Sequence, residues 1–214
     1  MKEYHKIQSV FKRDPANNMK TFLLGEYSKP EFKFLKDNAW VWTEKVDGTN
    51  IRVMWNGKDV IFGGKTDNAQ IPSFLVTALN ERFNTITAKQ KLKEIFKEEE
   101  VCLYGEGYGA KIQKGGGNYK SDGNDFVLFD VKIGKWWLQR KDVKDVADQL
   151  GVDDVPVISE GTLKDAVETV KKGFNSRWGE FRAEGIVLRP EVEFLDRAGR
   201  RIITKLKHKD FKET

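Results

Sequence analysis

The sequence has very little cysteine, histidine and proline, and each shortage excludes a class of protein. Among 214 residues there are one cysteine, Cys102, two histidines, His5 and His208, and five prolines. A single thiol excludes an internal disulfide and a thiolate metal cluster, and it suits a reducing compartment. The histidines lie at opposite ends of the chain without H-E-x-x-H spacing, so we expect no histidine-built zinc site and read both as solvated surface.

Long apolar runs are missing as well. The first six residues, Met-Lys-Glu-Tyr-His-Lys, are polar, and no apolar run approaches the roughly 20 residues that cross a bilayer. We therefore expect a cytoplasmic, unsecreted protein with no membrane partner. The sequence also has no Pro/Ser-rich linker, internal repeat or low-complexity tract, and this predicts one domain over residues 1–214.

Charge is abundant and almost balanced. The chain has 38 Lys+Arg against 33 Asp+Glu, a formal charge of +5 and a pI near 9.1. This modest excess of positive charge is compatible with a polyanionic partner but does not require one. Basic residues are frequent near the carboxyl end, where they suit a nearby phosphate backbone; they are Arg197, Arg200, Arg201, Lys205, Lys207, Lys209 and Lys212. An exposed hairpin over 197–201 explains part of this run equally well.

Local patterns predict an α+β fold with mainly antiparallel sheets flanked by helices. Asn56-Gly57 between apolar runs predicts a hairpin, and spacing of three to four predicts one or two helices from Pro72 to about Glu100. Asp142 and Thr162 are expected to cap two later helices, which end near Leu150 and Lys172. The expected strands cover residues 40–42, 51–55, 60–62, 101–104, 126–131, 136–138, 184–189 and 201–207.

A glycine-rich stretch follows the strand at 101–104 and ends at Gly123. Such stretches let backbone amides approach phosphate. The Walker A spacing and the G-x-G-x-x-G fingerprint are both absent, so a mobile loop is the better interpretation of Gly115 to Gly117.

The segment Lys45-Val46-Asp47-Gly48 offers a candidate nucleophile directly after an apolar strand. A lysine amine with an ordinary pKa near 10.4 attacks poorly at neutral pH unless desolvation or cationic neighbours remove its proton. An extended chain would put Lys45 and Asp47 on one side, and Gly48 would let the backbone turn away. Taken alone, Asp47-Gly48 is also typical of a simple turn.

Four later segments supply complementary chemistry. Glu184 stands at the start of an apolar strand, and Lys205 and Lys207 share one face of the last strand because side chains alternate. Two such lysines are usual on a solvated strand edge, but they could also hold an α-phosphate and lower the pKa of a third lysine. Tyr104-Gly105-Glu106 and Leu128-Phe129-Asp130 offer a carboxylate for ribose hydroxyls and an aromatic face for a base.

Five segments, taken in chain order, resemble motifs I, III, IIIa, IV and V of the covalent nucleotidyltransferases, the superfamily of polynucleotide ligases and mRNA capping enzymes. They are Lys45-Val46-Asp47-Gly48, Tyr104-Gly105-Glu106, Leu128-Phe129-Asp130, Glu184-Gly185-Ile186-Val187 and Lys205-Leu206-Lys207. Gly48-Thr49-Asn50 is similar to the RNA ligase 2 branch, whose motif I reads K-x-x-G-T-N. The resemblance implies a nucleotidyltransferase (ATP-grasp-like ligase) fold and a single adenylyltransferase domain over residues 1–214. The sequence ends seven residues after Lys207, so we expect no appended OB-fold or helical carboxy-terminal domain. The contacts that bind the polynucleotide substrate would then come from this domain or from a partner protein.

The resemblance also implies a reaction and its residues. Lys45 would attack the α-phosphate of ATP and become lysyl-AMP, with Mg²⁺ or Mn²⁺ as the metal; AMP would pass to an RNA 5′-phosphate, and a 3′-hydroxyl would seal a nicked duplex or RNA ends. The implied catalytic residues are Lys45, Asp47, Glu184 (also the metal ligand), Lys205 and Lys207. The implied nucleotide-binding residues are Glu44, Lys65, Glu106 (ribose), Phe129 and Val187 (two faces of adenine). Thr49 and Asn50 would lie near the incoming 5′-phosphate.

Two departures from the branch and two alternatives stay open. Some RNA ligases carry histidine at the position of Asp47, and the branch usually carries arginine at the position of Lys65, where a lysine offers a point charge instead of a bidentate fork. The first alternative is a DNA ligase-like or capping-like transferase, which usually has arginine at the position of Asn50. The second is a catalytically lapsed nucleic-acid-binding domain, which would have no reason to keep three lysines and Glu184.

Overall fold

The structure, a computed structural model, describes residues 3–211. Its strands are β1 (Gln8–Ser9), β2 (Phe11–Arg13), β3 (Phe22–Tyr27), β4 (Trp40–Glu44), β5 (Thr49–Trp55), β6 (Val60–Gly63), β7 (Val101–Gly109), β8 (Asn124–Ile133), β9 (Trp136–Trp137), β10 (Asp153–Asp154), β11 (Val157–Gly161), β12 (Gly185–Pro190) and β13 (Thr204–Lys207). Its α-helices are α1 (Pro30–Phe34), α2 (Ser73–Phe83), α3 (Ile86–Phe96), α4 (Gly116–Tyr119), α5 (Arg140–Leu150) and α6 (Leu163–Lys172). Short 3₁₀ helices cover Pro15–Asn17 and His208–Phe211. Within the described residues, none of the helices has both the length and the apolar character that a membrane crossing needs.

The chain divides into two compact units, and each is discontinuous in sequence. The central unit contains residues 3–5 and 47–155, and the terminal unit contains residues 6–46 and 156–211. The names refer to sequence position only. The terminal unit contains the candidate residues Glu44, Lys45, Glu184, Val187, Lys205 and Lys207. The central unit contains Asp47 and the candidates from Thr49 to Phe129.

The central unit is built on one sheet in the order β10-β8-β7-β5-β6, with β9 paired to β8. All of its pairings are antiparallel except that of β10 with β8. The helices α2 and α5 pack on this sheet and α3 packs against both helices; the buried residues of all three join those of the strands in one core. The buried helical residues are Leu75, Leu79, Phe83, Leu92, Phe96, Val143, Val146 and Ala147.

The terminal unit has a second sheet in the order β1-β13-β12-β4-β11, and β2 and β3 form a separate hairpin. Only β1 and β13 pair in parallel. In β4 the buried side chains alternate, so Trp40, Trp42 and Glu44 all point into the core. The helix α6 covers this core with Leu163, Ala166 and Val170.

The predicted α+β fold with mainly antiparallel sheets and flanking helices is confirmed. The β5–β6 hairpin, α2, α3 and the Thr162 cap of α6 also form as expected; the Thr162 side chain accepts a hydrogen bond from the Asp165 amide in a capping box.

Several predicted details are wrong. The cap of α5 is Gln139, and Asp142 lies in the first turn, where a carboxylate interacts favourably with the helix dipole. The last strand begins at Thr204, because Arg201 forms only an isolated bridge to Leu195. Short, half-exposed strands before residue 30 were not predicted, because they lack a clear apolar alternation.

Part of the glycine-rich stretch is regular structure, contrary to expectation. The strand β7 continues through Gly105 and Gly107 to Gly109, and Gly116 begins the short helix α4. These glycines allow close packing: a Cβ on Gly105 would lie 2.2 Å from the Phe126 ring, and one on Gly116 would lie 2.1 Å from the Gly109 carbonyl oxygen. At Gly105 and Gly116, neighbouring atoms therefore fill the space of a side chain.

Candidate active site

Three candidate residues meet at one end of the terminal unit's sheet. Lys45 directly follows β4, Glu184 directly precedes β12, and Lys207 ends β13. The backbone amide of Lys45 donates to the Gly185 carbonyl oxygen at 2.9 Å, and the His208 amide donates to the Glu184 carbonyl oxygen at 2.9 Å. These bonds extend the strand ladder by one residue at each junction and fix the backbone from which the three side chains project.

The side chains of Lys45, Glu184 and Lys207 form a compact group, which we call the lysine–glutamate cluster. Lys45 Nζ donates to Glu184 Oε2 at 2.7 Å, and Lys207 Nζ donates to Glu184 Oε1 at 2.5 Å. The Glu184 side chain is only 12% exposed. Burial opposes ionisation of this carboxyl, but the charge of Lys45 and the hydrogen bonds from both lysines outweigh it and lower the pKa of Glu184. The cluster therefore holds one carboxylate between two ammonium groups.

Gly185 makes the cluster's geometry possible. A Cβ at this position would lie 2.0 Å from the Leu206 carbonyl oxygen and 2.8 Å from the Cα of Lys207. The glycine therefore lets β12 lie against β13 where Gly185 pairs with Lys207, next to the two charged side chains.

Lys205 and Val187 lie on the same sheet face as Lys207. Thr204 and Leu206 are buried, so the alternating Lys205 and Lys207 occupy the other face of β13, as predicted. Val187 pairs directly with Lys205, and paired residues share a face. The face thus combines two lysines with one partly buried apolar residue.

Glu44 lies on the opposite face, inside the core. Its Oε1 accepts a hydrogen bond from Ser176 Oγ at 2.6 Å, and its Oε2 accepts one from the Arg177 amide at 2.8 Å. Burial raises the pKa of Glu44, although both hydrogen bonds act against that change. Glu44 holds the segment that contains Ser176, and the continued alternation from Trp40 and Trp42 is the sequence signal for this inward position.

In the central unit, Asn50 and Glu106 are brought together. Asn50 on β5 pairs with Glu106 on β7, and Thr49 pairs with Gly107. Directly opposed residues of antiparallel strands share a face, so the amide of Asn50 and the carboxyl of Glu106 lie on one side of the sheet.

Two side chains of the glycine-rich segment form hydrogen bonds with the backbone of Asp47 and Gly48. The Asp47 amide donates to the Tyr119 hydroxyl at 3.2 Å, and the Gln113 side-chain amide donates to the Gly48 carbonyl oxygen at 3.2 Å. A Cβ on Gly48 would lie 2.3 Å from the Gly107 carbonyl oxygen. Close contact with β7, rather than a left-handed turn, therefore requires glycine at this position.

Lys65 is exposed on a loop that a buried arginine supports. The Arg52 side chain is 1% exposed; its Nε donates to the Gly64 carbonyl oxygen at 2.9 Å, and its Nη2 donates to Asp67 Oδ1 at 2.7 Å. Sequence reasoning missed Arg52. Its signal was a charged residue within the apolar run Ile51-Arg52-Val53, where a buried guanidinium needs fixed partners.

The described residues contain no group of three or more His, Cys, Asp or Glu side chains arranged to hold a metal ion. Magnesium often binds one or two carboxylates together with substrate phosphates, and Glu184 is an ionised carboxylate of that kind.

Comparisons with known proteins give a consistent result. A family model described as RNA ligase matches residues 38–207. No curated protein sequence matches significantly. A solved structure of Naegleria gruberi RNA ligase with PPi has a TM-score of 0.66 and 20% identity, covering 97% of this chain and 56% of that one. Two variants of that protein, one with ATP and Mn and one with AMP and Mn, have TM-scores of 0.67 at 19% and 17% identity with the same coverage. The chain thus spans little more than half the length of these relatives and shares their fold.

Proposed function

The chain belongs to the RNA ligase family, and from this membership we propose that it is an ATP-dependent RNA ligase that works through lysyl-AMP. The observation that carries the proposal is the lysine–glutamate cluster, which joins the motif I lysine to residues from motifs IV and V. Lys45 and Glu184 are 139 positions apart in the sequence, so the fold, and not the local sequence, brings them together.

We propose that Lys45 attacks the α-phosphorus of ATP. A phosphorus–nitrogen bond forms, the bond between the α-phosphorus and the bridging oxygen breaks, and pyrophosphate leaves. Lys45 must first lose a proton to bulk water, because an ammonium has no lone pair to donate. Glu184 Oε2, 2.7 Å from Lys45 Nζ, is the adjacent group that keeps this amine in place. Lys207 and Lys205, on one face of β13, would neutralise charge on the α-phosphate in the transition state.

Glu184 fits the role of metal ligand that we propose for it. It is ionised, and a single carboxylate suits Mg²⁺ or Mn²⁺ that is bound mainly through phosphate oxygens. The metal, when bound, would polarise phosphoryl oxygens.

The other roles are proposed for each unit separately. In the central unit we propose Glu106 for ribose, Phe129 for adenine, and Thr49 and Asn50 for the 5′-phosphate; the pairing of Asn50 with Glu106 is compatible with this set. In the terminal unit we propose Val187 for adenine. For Glu44 we propose an indirect role, since both of its carboxylate oxygens bind the segment at Ser176 and Arg177. Residues 1–214 would act as one adenylyltransferase domain on RNA.

A labelling experiment tests the proposal. Incubation with α-labelled ATP and Mg²⁺ or Mn²⁺ should give a protein label that survives denaturation, and Lys45→Ala should abolish it. Lys58→Ala, an exposed lysine on the β5–β6 hairpin, is the matched control and should be labelled like the wild type. An equally labelled Lys45→Ala protein would contradict the assignment, and labelling by GTP alone would indicate a capping-like transferase.

The later steps need an RNA substrate. The labelled protein should lose AMP to a 5′-phosphorylated RNA strand in a nicked duplex, and the strand should then join to the adjacent 3′-hydroxyl. Lys65→Arg should keep or improve this transfer if Lys65 does the work of the arginine that is usual in the branch. Sealing of all-DNA nicks as readily as RNA nicks would count against an RNA ligase.

A further inference from the structure

The amino-terminal residues Glu3 to His5 belong to the central unit, although the chain after them belongs to the terminal unit. We propose that Tyr4 in this segment is a positioning residue for the nucleotide base, acting through Asp130 and Phe129. The inference rests on the proposed function, because it concerns the residue assigned to adenine.

Tyr4 is bonded to the residue next to Phe129. The Tyr4 hydroxyl donates to Asp130 Oδ2 at 2.7 Å, and Asp130 has no exposed surface. A hydroxyl that donates to a buried carboxylate makes a strong and directional contact. The bond joins residue 4 to residue 130, so it ties the amino-terminal segment to β8.

Phe129 lies at an irregularity of that strand. Tyr104 pairs with Asp130 and Gly105 pairs with Leu128, so the register shifts at Phe129, which is an extra residue in β8. A β-bulge of this kind turns a side chain out of the direction that it has in a regular strand. The direction of the Phe129 ring therefore depends on contacts other than the sheet's hydrogen bonds.

Tyr4 supplies such a contact. Its ring centroid lies 5.1 Å from that of Phe129 with an interplanar angle of 75°, and it also lies 5.1 Å from Tyr104 and 5.8 Å from Trp137. His5 stacks on the Tyr4 ring at 4.7 Å. Edge-to-face aromatic pairs favour particular orientations of both rings. The hydrogen bond from the Tyr4 hydroxyl to Asp130 thus holds the Tyr4 ring in the position from which it orients Phe129.

Nucleotide binding by Tyr4→Phe tests the inference. The variant keeps the ring and removes the bond to Asp130, so we expect the Kd and KM for ATP to rise about fivefold to tenfold, with little change in kcat for lysyl-AMP formation. Tripolyphosphate, which has no base, should inhibit wild type and variant equally. Tyr27→Phe, which removes a hydroxyl without a hydrogen bond among residues 3–211, is the control and should leave all values unchanged.

A double mutant separates positioning from general destabilisation. If the hydroxyl acts through Asp130, Asp130→Asn combined with Tyr4→Phe should raise the KM for ATP no more than Asp130→Asn alone. Additive effects, an equal loss of tripolyphosphate inhibition, or unchanged ATP affinity in Tyr4→Phe would each overturn the inference. If the wild type binds ATP without becoming labelled, the proposed ligase chemistry fails, and the ATP dissociation constants of the two proteins still decide the role of Tyr4.

Discussion

Neutralising Glu184 should destabilise the terminal unit in a way that depends on pH. Glu184→Gln keeps the shape of the side chain but removes the charge that faces Lys45 and Lys207 at 2.7 and 2.5 Å. Loss of one member of a buried ion pair costs about 3–5 kcal/mol, and hydrogen bonds to charged groups contribute about 1.5–3 kcal/mol. Both lysine side chains are 21% exposed and regain some water, so we expect a loss of about 2–3 kcal/mol at pH 7.

The sign of the pH dependence follows from the lowered pKa of Glu184. Its stabilising contribution is complete above the ordinary value near 4.5 and is lost as the pH falls through the lower pKa of the folded protein. The difference in unfolding free energy between wild type and Glu184→Gln should therefore be largest near neutral pH and should shrink below about pH 4.5.

Urea unfolding followed by tryptophan fluorescence measures this difference, because Trp40 and Trp42 are buried in the same unit as Glu184. Glu191→Gln is the matched control: Glu191 is exposed just after β12, and its change should stay within about 0.5 kcal/mol. The reasoning would be refuted if Glu184→Gln lowered the unfolding free energy by less than about 0.5 kcal/mol at neutral pH. It would also be refuted if the loss of unfolding free energy were constant from pH 7 to pH 4.

Three further predictions use other features of the chain. Gly185→Ala should disrupt the pairing of β12 with β13, because its Cβ would lie 2.0 Å from a backbone oxygen, whereas Gly117→Ala, with no atom within 4 Å, should unfold at the same urea concentration as the wild type. Gln113→Met should slow lysyl-AMP formation about fivefold by removing the bond to motif I, and Asn118→Ala in the same segment should not; equal rates for both variants would contradict this. Burial raises the pKa of Cys102 to about 11, so a thiol reagent at pH 8 should modify it only as fast as the protein opens, and rapid modification of the folded protein would contradict its burial.

Local patterns predicted the local parts of the structure. The hairpin at Asn56-Gly57 and the cap at Thr162 depend on neighbouring residues, and both form as expected. The shared face of Lys205 and Lys207 follows from the alternation of any strand. These features need no knowledge of distant residues.

The parts that were missed depend on distant contacts. Glu44 is bonded to Ser176, 132 positions away, and Tyr4 is bonded to Asp130, 126 positions away. Gly48 needs to be glycine because β7 approaches it, which no inspection of neighbouring residues reveals. The resemblance to a family indicated which residues matter, but their partners could be identified only from the fold.

The division of the chain has a consequence for the order in which the protein can fold during synthesis. Most of the central unit is one continuous run, residues 47–155, whereas β4 of the terminal unit must pair with β11 and β12, which come after that run. Closing such long loops is slow because entropy opposes it before any contact forms. During synthesis, the candidate nucleophile Lys45 therefore emerges from the ribosome long before the strand that carries Lys207. Lys45 gains its charged neighbours only when almost all of the described chain has been made, so partly synthesised chains carry an exposed lysine without the cluster.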